Sequence, residues 1–178
     1  MITMKNVIKS FAAATIAFFA FGTSANAQQT ASATAAASAT IITPISITKT
    51  VDLNFGNVAV DASNGGTVIM APAGTRTTTG NVSLPATSGS PTAASFTVNG
   101  QGNYTYAITL PSSPVTIDDG NSHTMTVTTF TSTPSTTGTL SSGTQTLNVG
   151  ATLNVSAGQA TGTYTTGASP FTVTVNYN

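Results

Sequence analysis

The sequence predicts an all-β, antiparallel sandwich, and three observations predict it. Apolar and polar residues alternate with a period of two in several short runs. Turn-forming residues interrupt those runs at short intervals, as in a chain of short strands. No run after the N-terminal leader repeats its apolar residues at helical spacing.

The clearest alternation closes the chain: Phe171-Thr-Val173-Thr-Val175-Asn-Tyr177-Asn. Successive side chains of a strand point to opposite faces, so Phe171, Val173, Val175 and Tyr177 share one face. Thr172, Thr174 and Asn176 share the other. Burying that apolar face is worth about 6–10 kcal/mol before chain entropy is set against it. The C-terminus is therefore expected to dock in a core.

Residues 1–27 read as a cleavable signal peptide. Lys5 and Lys9 form a positive start, 11–21 is an apolar stretch, and Ala25-Asn-Ala27 is a cleavage pattern. The chain is expected to be exported to the periplasm, the outer surface or the medium. No membrane span is expected after signal cleavage. Residues 28–39 carry Ala, Thr, Ser and Gln and read as a flexible tail without a period. Residues 40–178 read as one sandwich domain.

Within that domain, 40–47 is a β run that Pro44 confines to an edge or a bulge, because proline donates no ladder hydrogen bond. Residues 51–58 alternate and bend at Gly56-Asn57. Asn64-Gly65-Gly66 is a turn before an apolar strand over 67–71, and 81–84 is a short strand. Residues 94–98 alternate and stop at Asn99-Gly100. Tyr104, Tyr106, Ile108 and Leu110 line one face of the next strand, and 99–103 reads as a hairpin between the two. Val115 to Ile117 leads into the Asp118-Asp-Gly-Asn121 turn, and His123, Met125 and Val127 alternate after it. Residues 134–142 read as a loop. Leu147-Asn-Val-Gly150 and Leu153-Asn-Val155 read as two short strands about a glycine turn.

Composition excludes several functions. Charged residues are 4% of the chain, and there is no Cys. After the leader, Lys49 and Arg76 oppose Asp52, Asp61, Asp118 and Asp119. No basic footprint for nucleic acid or for a membrane surface exists. Without Cys there is no disulfide, thiol nucleophile or thiolate metal site. An uncharged, hydroxyl-rich surface lacks the charges that usually keep β-edges from pairing, which suits a chain built to associate.

The catalytic inventory is small. A Ser-His-Asp arrangement has only His123 to use, and no Gly-x-Ser-x-Gly elbow is present. His123 reads as a strand-end residue on a wet surface. Asp118-Asp119-Gly120-Asn121 offers oxygens to a cation but lacks the spacing and closing Glu of a calcium loop, and it reads as an Asx-type turn. Asp52 and Asp61 read as solvated strand ends, and Arg76 as a solvated loop residue. Tyr104 and Tyr106 would make a stacking platform if exposed, but their alternation favours core. No catalytic, metal or cofactor site is expected.

Two resemblances add to this. Ala39-Thr-Ile-Ile-Thr-Pro-Ile-Ser-Ile-Thr-Lys49 followed by Leu53-Asn-Phe55-Gly56 resembles the start of the DUF4402 family of exported bacterial proteins. Gly143-Thr-Gln-Thr-Leu-Asn-Val-Gly150, Gly162-Thr-Tyr164 and Val173-Thr-Val-Asn-Tyr177 resemble its ending. More loosely, the Gly-x-Tyr and the aromatic near the terminus are similar to spore-coat-U-like and archaic chaperone–usher pilin subunits. That likeness implies an immunoglobulin-like sandwich that lacks one strand and takes it from the next subunit. It also implies a periplasmic chaperone and an outer-membrane usher as partners, besides copies of the chain itself. Phe171, Val173, Val175 and Tyr177 are then groove or chaperone-facing positions. Ile41, Ile45 and Ile47 are donor candidates, or else part of the domain's own first strand. The expected function is a non-enzymatic, Gram-negative cell-surface subunit, pilin-like and fimbrial. The alternative is a monomeric binding module, an adhesin or glycan binder.

Overall fold

A computed structural model describes residues 30–178, so the signal peptide expectation lies outside the described residues. The chain divides into a segment ending at Thr40 and a β unit, Ile41–Asn178. Residues 30–40 are exposed and carry no regular structure.

The β unit is built on its longest strand. β11 (Thr144–Val155) is twelve residues long and sends Leu147, Val149, Ala151, Leu153 and Val155 to one face, all buried. Its two Leu-Asn-Val echoes are one continuous strand, not two around a turn. The reason is that Gly150 joins them with no reversal: the alternation of faces runs straight through it. What changes at Gly150 is the neighbour. Residues before it pair with β6 (Ala94–Asn99), and residues after it with β3 (Gly66–Met70). The opposite edge of β11 pairs with β9 (Thr124–Thr133), with a register shift between Gly150 and Thr152.

Three more strands complete the large sheet, and every pairing is antiparallel. β1 (Ser46–Val51) lies outside β6, β4 (Arg76–Gly80) outside β3, and β8 (Val115–Asp118) outside β9. The run expected over 40–47 is displaced: 40–45 carries no strand, and β1 starts at Ser46, two residues past Pro44, which lies outside the ladder. The outer face of this sheet is hydroxylated. Thr67 and Thr79 meet across β3 and β4 at 2.7 Å, and Asn154 donates to the hydroxyls of Thr126 and Thr128.

A smaller sheet has the order β10-β7-β12, from β10 (Thr137–Thr139), β7 (Thr105–Thr109) and β12 (Thr174–Tyr177). The inner faces of the two sheets share a core of Val98, Tyr106, Leu140, Leu147, Val149, Val173 and Val175. Tyr106 is fully buried, and burial pushes its phenol above the usual tyrosine range. A second core holds Val68, Met70, Ile117, Val127, Leu153 and Val155. It is covered by the chain around Phe55, by β5 (Val82–Ser83) paired with β2 (Ala59–Val60), and by Tyr164. The all-β, antiparallel expectation holds.

Three further expectations are corrected. Residues 99–103 do not close a hairpin, because β6 and β7 belong to different sheets. The loop backbone is satisfied elsewhere: Gly100 N donates to Gly143 O and Asn103 N to Leu140 O. The 134–142 loop contains β10 and leads into a short helical turn, Ser141–Gly143. Arg76 is not a solvated loop residue. It opens β4, half-buried, and its guanidinium donates to the carbonyls of Phe55 and Asn57. Residues 51–58 bend at Gly56, as expected, after an isolated antiparallel bridge between Asn54 and Thr92. Asn54 Oδ1 accepts from Gly56 N at 2.8 Å, and Gly56 takes φ +68°.

Candidate functional site

Of the residues singled out in the sequence, the C-terminal four lie together on the small sheet. Val173 and Val175 are buried in the shared core, and Phe171 and Tyr177 are half-buried beside them. Phe171 packs on Phe130 with ring centroids 5.0 Å apart. The regular strand covers only Thr174–Tyr177, so Phe171 and Val173 enter the core before the ladder begins.

β12 pairs with β7 alone. Asn178 N donates to Thr105 O, which fixes which backbone groups face which side. Residues 174, 176 and 178 bond inward to β7. The N–H and C=O of Val175 and Tyr177 therefore point away from it, along an edge that no ladder covers. β1 likewise has a neighbour on one side only, β6. These two open edges approach each other without pairing.

Tyr177 closes one end of the gap between them. Its hydroxyl donates to Thr43 O at 2.7 Å and accepts from Gln101 N at 2.6 Å. Tyr104 meets its ring edge-on at 5.7 Å. Tyr177→Phe removes both bonds and leaves the Gln101 N–H without a partner. We expect it to cost about 1–3 kcal/mol, measured by urea unfolding.

The isoleucines separate. Ile47 lies on β1 opposite Val98 of the chain's own β6, and Ile45 and Ile47 pack against its own core. Ile41 is 97% exposed.

A cleft of 670 Å³ that the sequence reading missed opens on the second core. One lip is 54–60, the continuation of β1, and the other is 159–164, upstream of β12. Ile117, Met125, Leu153 and Val155 line it between the lips. Tyr164 pins the second lip: its hydroxyl donates to Ala160 O at 2.7 Å and accepts from Gln159 Nε2 at 2.9 Å. No charged side chain lines the cleft. The lip 54–60 falls in a run that alternates, but 159–164 has no period and the lining is discontinuous in sequence, so nothing local marks a cleft.

The Asp118–Asn121 turn uses its own oxygens. Asp118 accepts from Gly120 N, and Asp119 Oδ1 accepts from the N–H groups of Asn121 and His123. His123 Nδ1 lies 2.7 Å from Asp119 Oδ2. That contact, helped by the two N–H donors, holds the Asp119 carboxyl down to about 2. Asp61 is also lowered, chiefly by the Ser63 N–H. A carboxyl with a folded-state pKa below its unfolded value stabilises the fold above the unfolded value. That contribution disappears as pH falls from the ordinary aspartate value of 3.8 towards about 2. The melting temperature is expected to drop across that window, and to drop less in Asp119→Asn.

The fold defines a class: an antiparallel β-sandwich in which β1 and β12 are among the strands that keep an unpaired edge, with a cleft on the second core that no charged side chain lines. The chain matches the DUF4402 family, described as a domain of unknown function, over residues 45–177, and it belongs to that family. No curated protein and no solved structure matches it. Among the described residues, no helix is long and apolar enough to cross a membrane.

Proposed function

We propose that this chain is an exported, non-enzymatic surface subunit, pilin-like, that assembles by β-strand addition. One observation carries the reading: the outward backbone groups of Val175 and Tyr177 form an open sheet edge whose side chains already sit in the core. Added strands gain affinity from main-chain hydrogen bonds along such an edge. The absence of charged side chains from most of the surface leaves little to repel a second copy. A periplasmic chaperone would hold the same edge before assembly, and an outer-membrane usher would receive the subunit.

The second reading, a monomeric adhesin or glycan binder, rests on the uncharged cleft. Immunogold electron microscopy of producing cells separates the two. Gold strung along thin fibres is the expected result. Gold scattered on a smooth envelope, with only monomer in the medium, overturns the assembly reading and favours the binding module.

A further inference from the structure

We infer that the cleft between 54–60 and 159–164 is a binding site for an uncharged small molecule, one with an apolar body and a hydrogen-bonding end. The inference holds whether or not the chain assembles, and it departs from the glycan of the second reading.

The cleft is a fixed pocket, not a gap between loose loops. The first lip is held by the Asn54–Thr92 bridge and by Asn57 N donating to Ser88 O. Arg76 adds its guanidinium on the carbonyls of Phe55 and Asn57. The second lip is held by the Tyr164 hydroxyl on Ala160 O and by Gln159 Nε2 on Thr124 O. Gly158 N donates to Asp61 O at 3.0 Å, which ties the two segments together just beyond 60 and 159. One end of the cleft is therefore blind. Its 670 Å³ falls among small-molecule sites, about 300–1,000 Å³. A preformed site loses little binding energy to the ordering of its walls.

The lining selects the class of ligand. No charged side chain lines the cleft. The Arg76 guanidinium is engaged by the lip carbonyls, and Asp119, which lies against Gly162, is engaged by His123. A charged ligand would leave water and meet no counter-charge. The floor, Ile117, Met125, Leu153 and Val155, offers no strong hydrogen bond. Every buried side-chain nitrogen and oxygen among the described residues already has its partner. A sugar hydroxyl reaching the floor would therefore stay unpaired, whereas an apolar body removes its own surface and the floor's from water. Met125 is a flexible thioether that adapts to the shape presented to it. Polar partners lie only at the rim. Thr161, Gly162 and Thr163 make no backbone hydrogen bond among the described residues, and Gln159 uses its Nε2 while its Oε1 accepts none there. These groups suit one hydrogen-bonding end.

The methionines report on the site. Of the four in the chain, Met70 and Met125 lie in the β unit, the first fully buried and the second on the cleft floor. Methionine methyl groups are isotope-labelled in the full chain and their resonances assigned with Met70→Leu and Met125→Leu. The probe is phenylnaphthylamine, an uncharged arylamine that brightens in apolar surroundings. Anilinonaphthalenesulfonate is the same body carrying a negative charge. The expected result is saturable binding of phenylnaphthylamine with a Met125 shift larger than that of Met70. The sulfonate is expected to bind weaker by about tenfold or more. No saturable binding, or a shift confined to Met70, overturns the site. Equal binding of the two probes overturns the selection against charge. Displacement of the probe by maltose overturns the apolar class and returns the cleft to the glycan reading. A Met125 signal that moves with chain concentration and no probe makes a second copy the occupant, which also overturns the inference.

Discussion

Gly150→Ala is expected to destabilise the fold by about 3 kcal/mol, which lowers the melting temperature by about 6–12 °C. A Cβ at this position would lie 2.1 Å from Met70 O, 2.7 Å from Ala71 C and 2.8 Å from Pro72 N. These are backbone atoms at the end of β3, and they cannot swing aside as a side chain does. The close approach arises because β11 exchanges β6 for β3 at this point, and the turn after β3 fills the junction. Thermal unfolding followed by circular dichroism measures the effect. Gly102→Ala is the matched control, since its Cβ would meet nothing nearer than 3.4 Å. A Gly150→Ala protein that melts with the control would show that the junction is loose.

Tyr106→Ala is expected to cost about 3–5 kcal/mol, because it empties a ring-sized volume in the shared core. Tyr106 has no exposed surface and reaches from the small sheet to β11, where its hydroxyl donates to Gln145 Oε1 at 2.9 Å. Its ring also fills the space that a side chain at Gly138 would need, with Cζ only 2.3 Å from such a Cβ. Tyr106→Phe keeps the ring and loses one hydrogen bond, so it should cost about 1 kcal/mol. Gln145 Oε1 retains the Thr139 N–H as a partner, which keeps that loss small. Urea unfolding of the pair separates packing from hydrogen bonding. Equal losses in the two variants would place the weight on the hydroxyl instead.

The sequence made strands legible where side chains are large and alternate. β6, β7, β9 and β12 carry Val, Tyr, Met or Phe at every second position and are found near where the pattern puts them. β4 was missed because Thr77, Thr78 and Thr79 give both faces the same hydroxyl, so no alternation marks it. β10 was missed because Gly138 is its buried residue, made necessary by a ring that lies far away in the sequence. Residues 99–103 have hairpin chemistry, but Tyr106 and Val98 meet across the core, each from its own sheet, rather than side by side. Local turn residues say that the chain reverses; only packing decides which sheet it enters. The C-terminal strand was legible by its period. The cleft was not, because its lining is gathered from parts of the chain far apart in sequence, and 159–164 has no period.

The spine strand has a consequence for how the molecule acquires its structure. β11 supplies neighbours to β3, β6 and β9, all of which precede it in the chain. The hairpins β3–β4 and β8–β9 are local and can close as soon as their residues are available. They remain separate pieces until residues 144–155 arrive between them, and the long loops that this closes are slow to search. A chain emerging N-terminus first, from a ribosome or through a membrane pore, stays an assortment of loose hairpins until its last fifth is free. It then completes both cores in one late event, which leaves a long interval in which a holding factor has apolar strands to grip.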